Sequence, residues 1–200
     1  MVRLLLCGPI SWLVLSGALA RADDAEVKAI ALVKKLGGRI ERDEKAPGKP
    51  IIQVSLGTDA TDKDLKELAA FKSIGTLVLN FSKVTDAGMK DIAALKTVTG
   101  LRLTGTSVTD KGVKELVGLK GLALLDLGGT GVTDMSAKQL GAIKGLAVLH
   151  LGDTKVTDAG LKELAVLKNL IMLDLIFADG VTDAGVAEFQ KALPKCKIRR

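Results

Sequence analysis

The sequence repeats itself every 24 residues over most of its length. The clearest copy is LAVLHLGDTKVTDAGLKELAVLKN, which runs from Leu146 to Asn169. Four further copies open at Ile74, Val98, Leu122 and Leu170. A worn copy with one residue fewer between its strand and its helix precedes them from Ile51. A unit this short cannot bury its apolar side alone, so successive copies must stack on one another in a solenoid.

The line L-x-x-L-x-L-x-x-T-x-V-T-D-x-G-L, written out by residues 146–161, resembles the leucine-rich repeats. It is similar to the short repeats of exported or envelope proteins of planctomycete-type bacteria. It is also similar to the cysteine-containing repeats of F-box substrate receptors, with Thr154 where those carry Cys or Asn. The resemblance covers residues 51–193. It implies an α/β fold, a right-handed arc of about six repeats with a parallel β-sheet on the concave face and α-helices on the convex face.

The resemblance also implies a role in protein interaction. No F-box-like helical segment is found ahead of the repeats, so the ubiquitin-ligase role of those receptors is not carried over to this sequence.

Strand side chains alternate between the two faces of a sheet. The sequence of each repeat therefore predicts which of its residues lie in the core and which lie on the concave face. In the clearest copy, Leu149 and Leu151 are expected in the core. Val148, His150 and Gly152 are expected on the concave face.

The residues after each strand are expected to close a turn and begin a helix. The Thr154 hydroxyl is expected to bond backbone groups that the turn leaves free. Thr157 suits the N-cap position, and Asp158 is expected to favour the positive start of its own helix. Val156 and Leu161 occupy the two positions of a hydrophobic staple. The V-T-D-x-G line is therefore interpreted as a helix-start device, and its aspartate is not a catalytic acid.

Residues 1–22 are predicted to form a signal peptide. Arg3 marks the charged end, and the apolar run from Leu4 to Ala20 leads to small residues that suit cleavage after Ala20 or Ala22. The run of 17 residues is shorter than the roughly 20 of a transmembrane helix, with an uncleaved anchor as the alternative. We therefore expect export to the periplasm, cell envelope or exterior, with no integral membrane segment after cleavage.

Residues 23–50 are predicted to cap the open N-terminal end of the solenoid. A helix is expected to begin at Asp23 and Asp24 and to stop at Gly37 and Gly38. Its buried face is expected to comprise Val27, Ile30, Ala31 and Val33. The stretches GRIER and PIIQVSL are expected to form two strands that follow this helix.

Residues 194–200 are predicted to form a C-terminal cap and tail. Pro194 stops the last helix, and Cys196 and Ile198 are expected to add a short strand over the last repeat. Cys196 is expected to act as a small buried apolar residue, and Arg199 with Arg200 as a solvated tail.

Charge and cysteine content exclude several functional classes. The formal net charge of +6 falls to about +4 when the leader, with Arg3 and Arg21, is removed. The predicted convex face alternates columns of opposite charge, whereas nucleic acid favours a basic stripe with aromatic platforms. The leader also contains one of the two cysteines, so Cys196 alone makes neither a disulfide nor a metal knuckle. We expect no nucleic-acid partner and no cofactor.

The position between the two strand leucines forms a row across the predicted sheet. Through the stack it reads Ser55, Val78, Arg102, Asp126, His150 and Asp174. The only histidine therefore stands between two aspartates. A charge-complementary recognition stripe is the favoured interpretation. A metal site on Asp126, His150 and Asp174 is an alternative, although a straight row rarely wraps an ion, and an acid–base site is a second alternative without an evident pocket.

A second concave column follows the row, and a third lies beside it. The second reads Asn80, Thr104, Gly128, Gly152 and Ile176; the third reads Phe81, Gly105, Gly129, Asp153 and Phe177. The glycines predict a shallow, open centre with a phenylalanine at each end. Such aromatics suit an interface, with burial over the repeat edges as the alternative.

These observations favour a non-enzymatic module that recognises a protein or peptide on its concave face. The expected contact residues are Val78, Asn80, Phe81, Arg102, Thr104, Asp126, His150, Asp174, Ile176 and Phe177. The alternatives are a metal-dependent or hydrolytic site on the aspartate–histidine row, and a purely structural module of the cell envelope.

Overall fold

The computed structural model describes the backbone of residues 12–200 and the side chains of residues 24–200. One sheet of eight strands, in sequence order, runs the length of the fold. The strands are β1 (Arg39–Arg42), β2 (Ile51–Ser55), β3 (Thr76–Val78), β4 (Gly100–Arg102), β5 (Leu124–Asp126), β6 (Val148–His150), β7 (Met172–Asp174) and β8 (Lys197–Arg199). Strands β2 to β8 are parallel, and β1 pairs antiparallel with β2. The predicted α/β leucine-rich repeat solenoid is confirmed.

Each parallel strand connects to the next through a helix or a helical turn. The helices are α1 (Trp12–Lys35), α2 (Asp62–Leu65), α3 (Met89–Ala94), α4 (Asp110–Leu116), α5 (Asp134–Leu140), α6 (Asp158–Leu164) and α7 (Asp183–Ala192). Short 3₁₀ turns span Lys66–Ala70 and Asp86–Gly88. Within residues 12–200, no helix combines the length and the apolar character needed to cross a membrane.

The strand leucines form the core, as the alternation predicts. Leu149 and Leu151 are fully buried, and the equivalent positions of the other repeats are buried with them. The staple pair Val156 and Leu161 is buried as well.

A hydroxyl column closes the turns after the strands. The hydroxyls of Ser82, Thr106, Thr130 and Thr154 each donate to the carbonyl of the leucine three residues earlier, at 2.6–2.7 Å. These buried side chains satisfy the turn backbone as predicted. The last repeat has Ala178 in place of the hydroxyl, also as read from the sequence.

The aspartate of the V-T-D-x-G line binds the next repeat. Asp158 lies in the first turn of its own helix α6, as predicted, and its carboxylate also reaches across to the following repeat. Asp134 Oδ1 accepts the backbone N–H of Thr157 at 2.8 Å, and Asp134 Oδ2 accepts the Thr157 hydroxyl at 2.8 Å. Asp158 accepts the same two groups of Thr182. The pairs Asp62–Thr85, Asp86–Thr109 and Asp110–Thr133 repeat the arrangement. We call this series the aspartate ladder.

Thr157 is the N-cap that the sequence predicts, because its hydroxyl oxygen accepts the N–H of Ala159 at 3.2 Å. The bonds from the neighbouring aspartate to the next repeat were not predicted, because a motif read within one repeat does not show which groups of the next repeat lie close to it.

The glycine of the motif makes room for the ladder. A Cβ on Gly112 would stand 2.5 Å from Asp86 Oδ1, and one on Gly88 would stand 2.6 Å from Asp62 Oδ1. These glycines are therefore required because a carboxylate from the preceding repeat occupies the space. Ser136, the exception, donates its hydroxyl to Asp110 instead.

Both ends of the ladder are closed by other groups. No preceding repeat supplies an aspartate to Thr61, and Asp64, at the glycine position of the first repeat, accepts its N–H and its hydroxyl at 2.8 Å. At the other end, Asp183 pairs with Arg200.

The N-terminal cap departs from prediction at the start and on one face of its helix. Helix α1 is already helical at Trp12, the first residue whose backbone is described, so it does not start at Asp23; the alanine-rich stretch before Asp23 favours helix and offers no stop. Ala29 and Val33, four residues apart, are buried, whereas Ala31 is exposed and Val27 is 62% exposed. Ala29 and Val33 lie on one face of the helix, which packs on the first repeat, so Val27 and Ala31 lie on other faces and are exposed.

The remaining features of the two caps follow the predictions, with one exception. Helix α1 ends at Gly37 and Gly38, whose N–H groups bond back to Lys34 and Val33 carbonyls. At the C-terminus Cys196 is buried, and burial raises the pKa of its thiol. Residues 1–11 of the predicted signal peptide lie outside the described part of the chain.

Arg199 is the exception, because it is not part of a solvated tail. It lies in β8, where the ladder with β7 aligns it with Asp174, and its guanidinium lies 3.2 Å from that carboxylate.

An alanine at position 185 should have opposite effects on stability with and without Asp158, because the three atoms nearest to an added Cβ all belong to the Asp158 carboxyl group. Gly185→Ala should lower the free energy of unfolding by about 1–3 kcal/mol, because the carboxylate must give up its ladder bonds. In an Asp158→Ala background the same change should be stabilising, since alanine favours helix over glycine by about 1 kcal/mol. Urea unfolding of the four variants measures both values. Stabilisation by Gly185→Ala in the wild-type background would refute the argument.

Acid stability should depend on the ladder. Partial burial alone would raise the pKa of Asp110, but hydrogen bonds from Ser136 and Thr133 outweigh it and hold that pKa below its ordinary value. A carboxylate whose pKa is lower in the folded chain stabilises fully above the unfolded value of about 3.9. That contribution is lost as pH falls through the folded value.

Ser136→Ala removes one of the donors without changing charge, so it should raise the pKa of Asp110 and move acid unfolding to higher pH. Carboxyl carbon NMR titration and denaturant unfolding at stepped pH measure the two effects. Ser107→Ala, at an exposed turn position, is the matched control. An Asp110 titration that is the same in Ser136→Ala and Ser107→Ala would contradict this account.

Candidate functional site

The strand register places the predicted row on the exposed face of the sheet, which we call the sheet face. Neighbouring strands align Ser55, Val78, Arg102, Asp126, His150 and Asp174 one after another. The row extends at both ends, to Arg39 on β1 and Arg199 on β8. Arg199 was not predicted to belong to the row, because its strand lies outside the repeats and carries no leucine pattern.

The row alternates in charge, and its two aspartates are held in the same way. Asp126 Oδ1 accepts the N–H of Gly128 at 3.0 Å, and Asp174 Oδ1 accepts the N–H of Ile176 at 3.0 Å. Their second oxygens face cations or a potential cation. Asp126 Oδ2 lies 3.6 Å from His150 Nδ1, and Asp174 Oδ2 lies 3.2 Å from Arg199.

The side chains of Asp126, His150 and Asp174 do not converge on one point. Among the side chains of residues 24–200, no group of three His, Cys, Asp or Glu residues is placed to hold a metal ion. The row is a line of neighbouring charges with hydrogen bonds to its own turns.

Next to the row lies a groove of about 380 Å³, which we call the sheet-face groove. Phe81 and Phe177, from the turns of two repeats, both line it. Between them its lining includes Thr104, Gly128, Gly152 and Ile176, together with the carboxylates of Asp126, Asp153 and Asp174. The predicted open centre with a phenylalanine at each end is present.

Phe81 is 65% exposed and Phe177 is 78% exposed, which decides against the alternative that they are core residues. Their φ angles are +57° and +61°, a left-handed conformation that is uncommon for a bulky side chain. The same turn position holds Gly105, Gly129 and Asp153 in the intervening repeats, all with positive φ. The repeat therefore imposes the conformation, and the two phenylalanines adopt it against their intrinsic preference.

Two glycines, one in the second column and one in the third, are also needed for space. A Cβ on Gly105 would stand 2.5 Å from Cδ1 of Phe81, so the aromatic ring lies directly over the glycine of the next repeat. A Cβ on Gly152 would stand 2.7 Å from the Ile176 carbonyl oxygen. Larger residues at either position would close the groove.

Of the other predicted contact residues, some line the sheet-face groove and some do not. Thr104 and Ile176 line the groove, whereas Val78, Asn80 and Arg102 are not part of its lining. Asn80 Oδ1 accepts the N–H of Thr104 at 3.2 Å and so supports the turn.

An apolar strip accompanies the charged row on its other side. Leu124, Val148 and Met172 are aligned on β5 to β7 and are half-buried. The sequence analysis placed Val148 on this face but overlooked its two neighbours, although the same strand alternation identifies them.

The leucine-rich repeat family model matches residues 146–165, the clearest repeat. No significant similarity to a curated protein was found.

Two solved structures, both internalins of Listeria monocytogenes, resemble the fold. For inlF the TM-score is 0.52 at 16% identity, over 74% of this chain and 47% of the other. For internalin C2 the TM-score is 0.50 at 22% identity, over 74% of this chain and 70% of the other. The chain thus spans less than half the length of the inlF chain that it matches. At these identities the likeness is one of fold.

Relief of backbone strain predicts an unusual response at Phe177. Glycine adopts a positive φ without steric cost, and a strained conformation of this kind costs about 1–3 kcal/mol. Phe177→Gly should therefore keep or raise the free energy of unfolding, by up to about 1 kcal/mol. Ile171→Gly, at another exposed apolar position without positive φ, should lower it by about 0.5–1 kcal/mol. If thermal or urea unfolding showed that Phe177→Gly and Ile171→Gly lower the free energy of unfolding equally, the strain at Phe177 would be contradicted.

Proposed function

We propose that this protein is an exported, non-enzymatic recognition module that binds an extended peptide or protein segment in the sheet-face groove. The observation that carries the proposal is the pair of strained, exposed phenylalanines that stand at the two ends of a glycine-floored groove. Solenoids of this kind in general present an extended surface for binding.

Backbone strain at an exposed position supports a binding role. A bulky residue with positive φ persists only where the surrounding structure enforces it, and such residues cluster at ligand clamps. Phe81 and Phe177 could each be glycine, as in two of the repeats between them. Aromatic side chains supply a large contact area and dominate interface energetics.

The dimensions suit a short extended segment. Phe81 and Phe177 stand four repeats apart, and parallel strands are spaced about 4.8 Å, so the groove is about 19 Å long. An extended chain rises about 3.3 Å per residue. Six or so residues therefore span the distance between the two aromatic rings.

Charge favours a basic residue in the middle of that segment. Among the described residues that line the groove, three are aspartates and none is Lys or Arg, although the whole chain is basic. Arg199 balances Asp174, and His150, which also lines the groove, lies 3.6 Å from Asp126. Among the described residues, the groove carboxylates that have no arginine or lysine in an ion pair are those of Asp126 and Asp153. A Lys or Arg side chain between two apolar residues would meet these carboxylates while its neighbours pack on the rings.

Export is the remaining part of the proposal. It rests on the apolar run from Leu4 to Ala20 and the small residues after it. No observation favours the metal-dependent or hydrolytic alternative, because the Asp126, His150 and Asp174 side chains do not converge.

Selection of heptapeptides from a random displayed library against the purified protein tests the proposal. We expect enriched peptides with Lys or Arg between apolar residues, and a loss of at least about tenfold in affinity, 1.4 kcal/mol, in both Phe81→Ser and Phe177→Ser. Asp153→Asn should weaken binding of the basic peptides alone. Met135→Ser, at a 64% exposed position on a helix, is the control and should not change binding. The proposal fails if no peptide is enriched, or if the phenylalanine variants bind as well as the control.

A further inference from the structure

The sheet has two open edges, and they differ in charge. An edge strand presents unpaired backbone N–H and C=O groups that another strand can join. Strand β8 has basic residues on both sides of Ile198, namely Lys197 and Arg199. Like charges of this kind protect an edge against pairing with a second copy. Strand β1, Arg-Ile-Glu-Arg, instead mixes both signs.

The backbone groups of β1 that face outward can be assigned from its bonds to β2 and the loop before it. Arg39 N donates to Ser55 Oγ at 3.2 Å, and Asp43 N donates to the Pro50 carbonyl at 2.9 Å. Because alternate residues of an antiparallel strand point their backbone groups to the same side, Ile40 and Arg42 present theirs away from β2.

We propose that two copies of this protein join through antiparallel pairing of β1 with β1, in a register centred on Ile40. Around the two-fold axis Arg39 of one copy then lies opposite Glu41 of the other, and the reverse pair forms by symmetry. Ile40, whose backbone groups face outward, pairs with itself. Gly38 stands opposite Arg42 of the second copy; it has no side chain, but its N–H already donates to the Val33 carbonyl, so the pairing is centred on Ile40 and its two neighbours.

Other registers place like charges together. Residues that lie opposite each other in paired strands must point their side chains to the same face of the sheet. The two-fold axis must therefore pass through a residue, because an axis between two residues would pair side chains from opposite faces. An axis at Arg39 or Arg42 sets arginine against arginine, and an axis at Glu41 sets glutamate against glutamate. Only the Ile40 register gives two pairs of opposite charge, and opposite charges across a strand pair are favourable.

Apolar side chains near this edge support the same interface. Ile30, Val33 and Ile40 line an open cleft of about 550 Å³ between α1 and β1. Val27 is 62% exposed, and it lies on the same helix face as Ile30 and Lys34. Lys34, Arg39, Glu41 and Arg42 complete the lining of the cleft, so the apolar side chains stand beside the charged residues that set the register.

The dimer would join two sheets into one and place the two sheet-face grooves far from the axis, since each groove begins only at Phe81. It does not depend on the proposed function. A target with two copies of a bound segment would engage both grooves, which multiplies the apparent affinity.

Light scattering after size exclusion, and sedimentation equilibrium over a concentration series, test the interface with the purified protein. The wild type should dimerise. Arg39→Glu and Glu41→Arg should each raise the dissociation constant at least about tenfold, because each creates two like-charge pairs directly opposite one another. An equimolar mixture of the two variants should restore the dimer as a heterodimer, and the double variant R39E/E41R should restore it alone.

Lys197→Glu, a charge reversal of the same size on the other edge strand, is the matched control and should leave the dissociation constant unchanged. Circular dichroism of each variant checks the fold. Recovery of a dimer in the mixture also shows that both variants are folded, because neither of them dimerises alone. The proposal is overturned if the wild type is monomeric throughout, if single reversals have no more effect than Lys197→Glu, or if the mixture does not recover.

Discussion

In this solenoid an aspartate at the start of one helix accepts the backbone N–H and the hydroxyl of the threonine that caps the next helix. This contact crosses every boundary from the first repeat to the last and sets the offset between neighbours. It accounts for the glycine of the motif, which must leave room for the incoming carboxylate. It survives the extra residue of the last repeat, because the loop before Thr182 absorbs it and Asp158 still reaches its partner. Leucine burial supplies most of the stabilisation, whereas the ladder determines how one repeat sits on the next.

The regular offset between repeats also determines how side chains are arranged on the sheet face. When each repeat sits identically on its neighbour, equivalent side chains form straight columns, and any departure from the consensus stands out as a local feature. Phe81 and Phe177 are such departures, since the turn that holds them requires a positive φ that glycine accepts and phenylalanine resists. The groove between them exists because the intervening repeats carry small residues there. The groove is thus a local exception within an otherwise repetitive structure.

Some parts of the site could be predicted and others could not, and the difference follows the range of the interactions. The row from Ser55 to Asp174 was predicted correctly because strand alternation and a constant period are enough to align it. Arg199 was missed because its strand lies outside the repeats and joins the row only through pairing with β7. Val27 and Ala31 were assigned to the buried face of α1 from periodicity, but the direction of that face depends on where the helix docks. The bonds from Thr182 to Asp158 were missed because Thr182 belongs to another repeat.

By itself, then, the sequence determined the solenoid, the number and order of its strands within the repeats, the leucine core and the residues that share the sheet face. All of these follow from two periods, 24 residues along the chain and two along each strand, and a period is a local property of the sequence. Only the tertiary structure decided which neighbour each aspartate binds and how exposed the two phenylalanines are. Those outcomes depend on distances between residues more than 20 positions apart, which the folded backbone alone establishes.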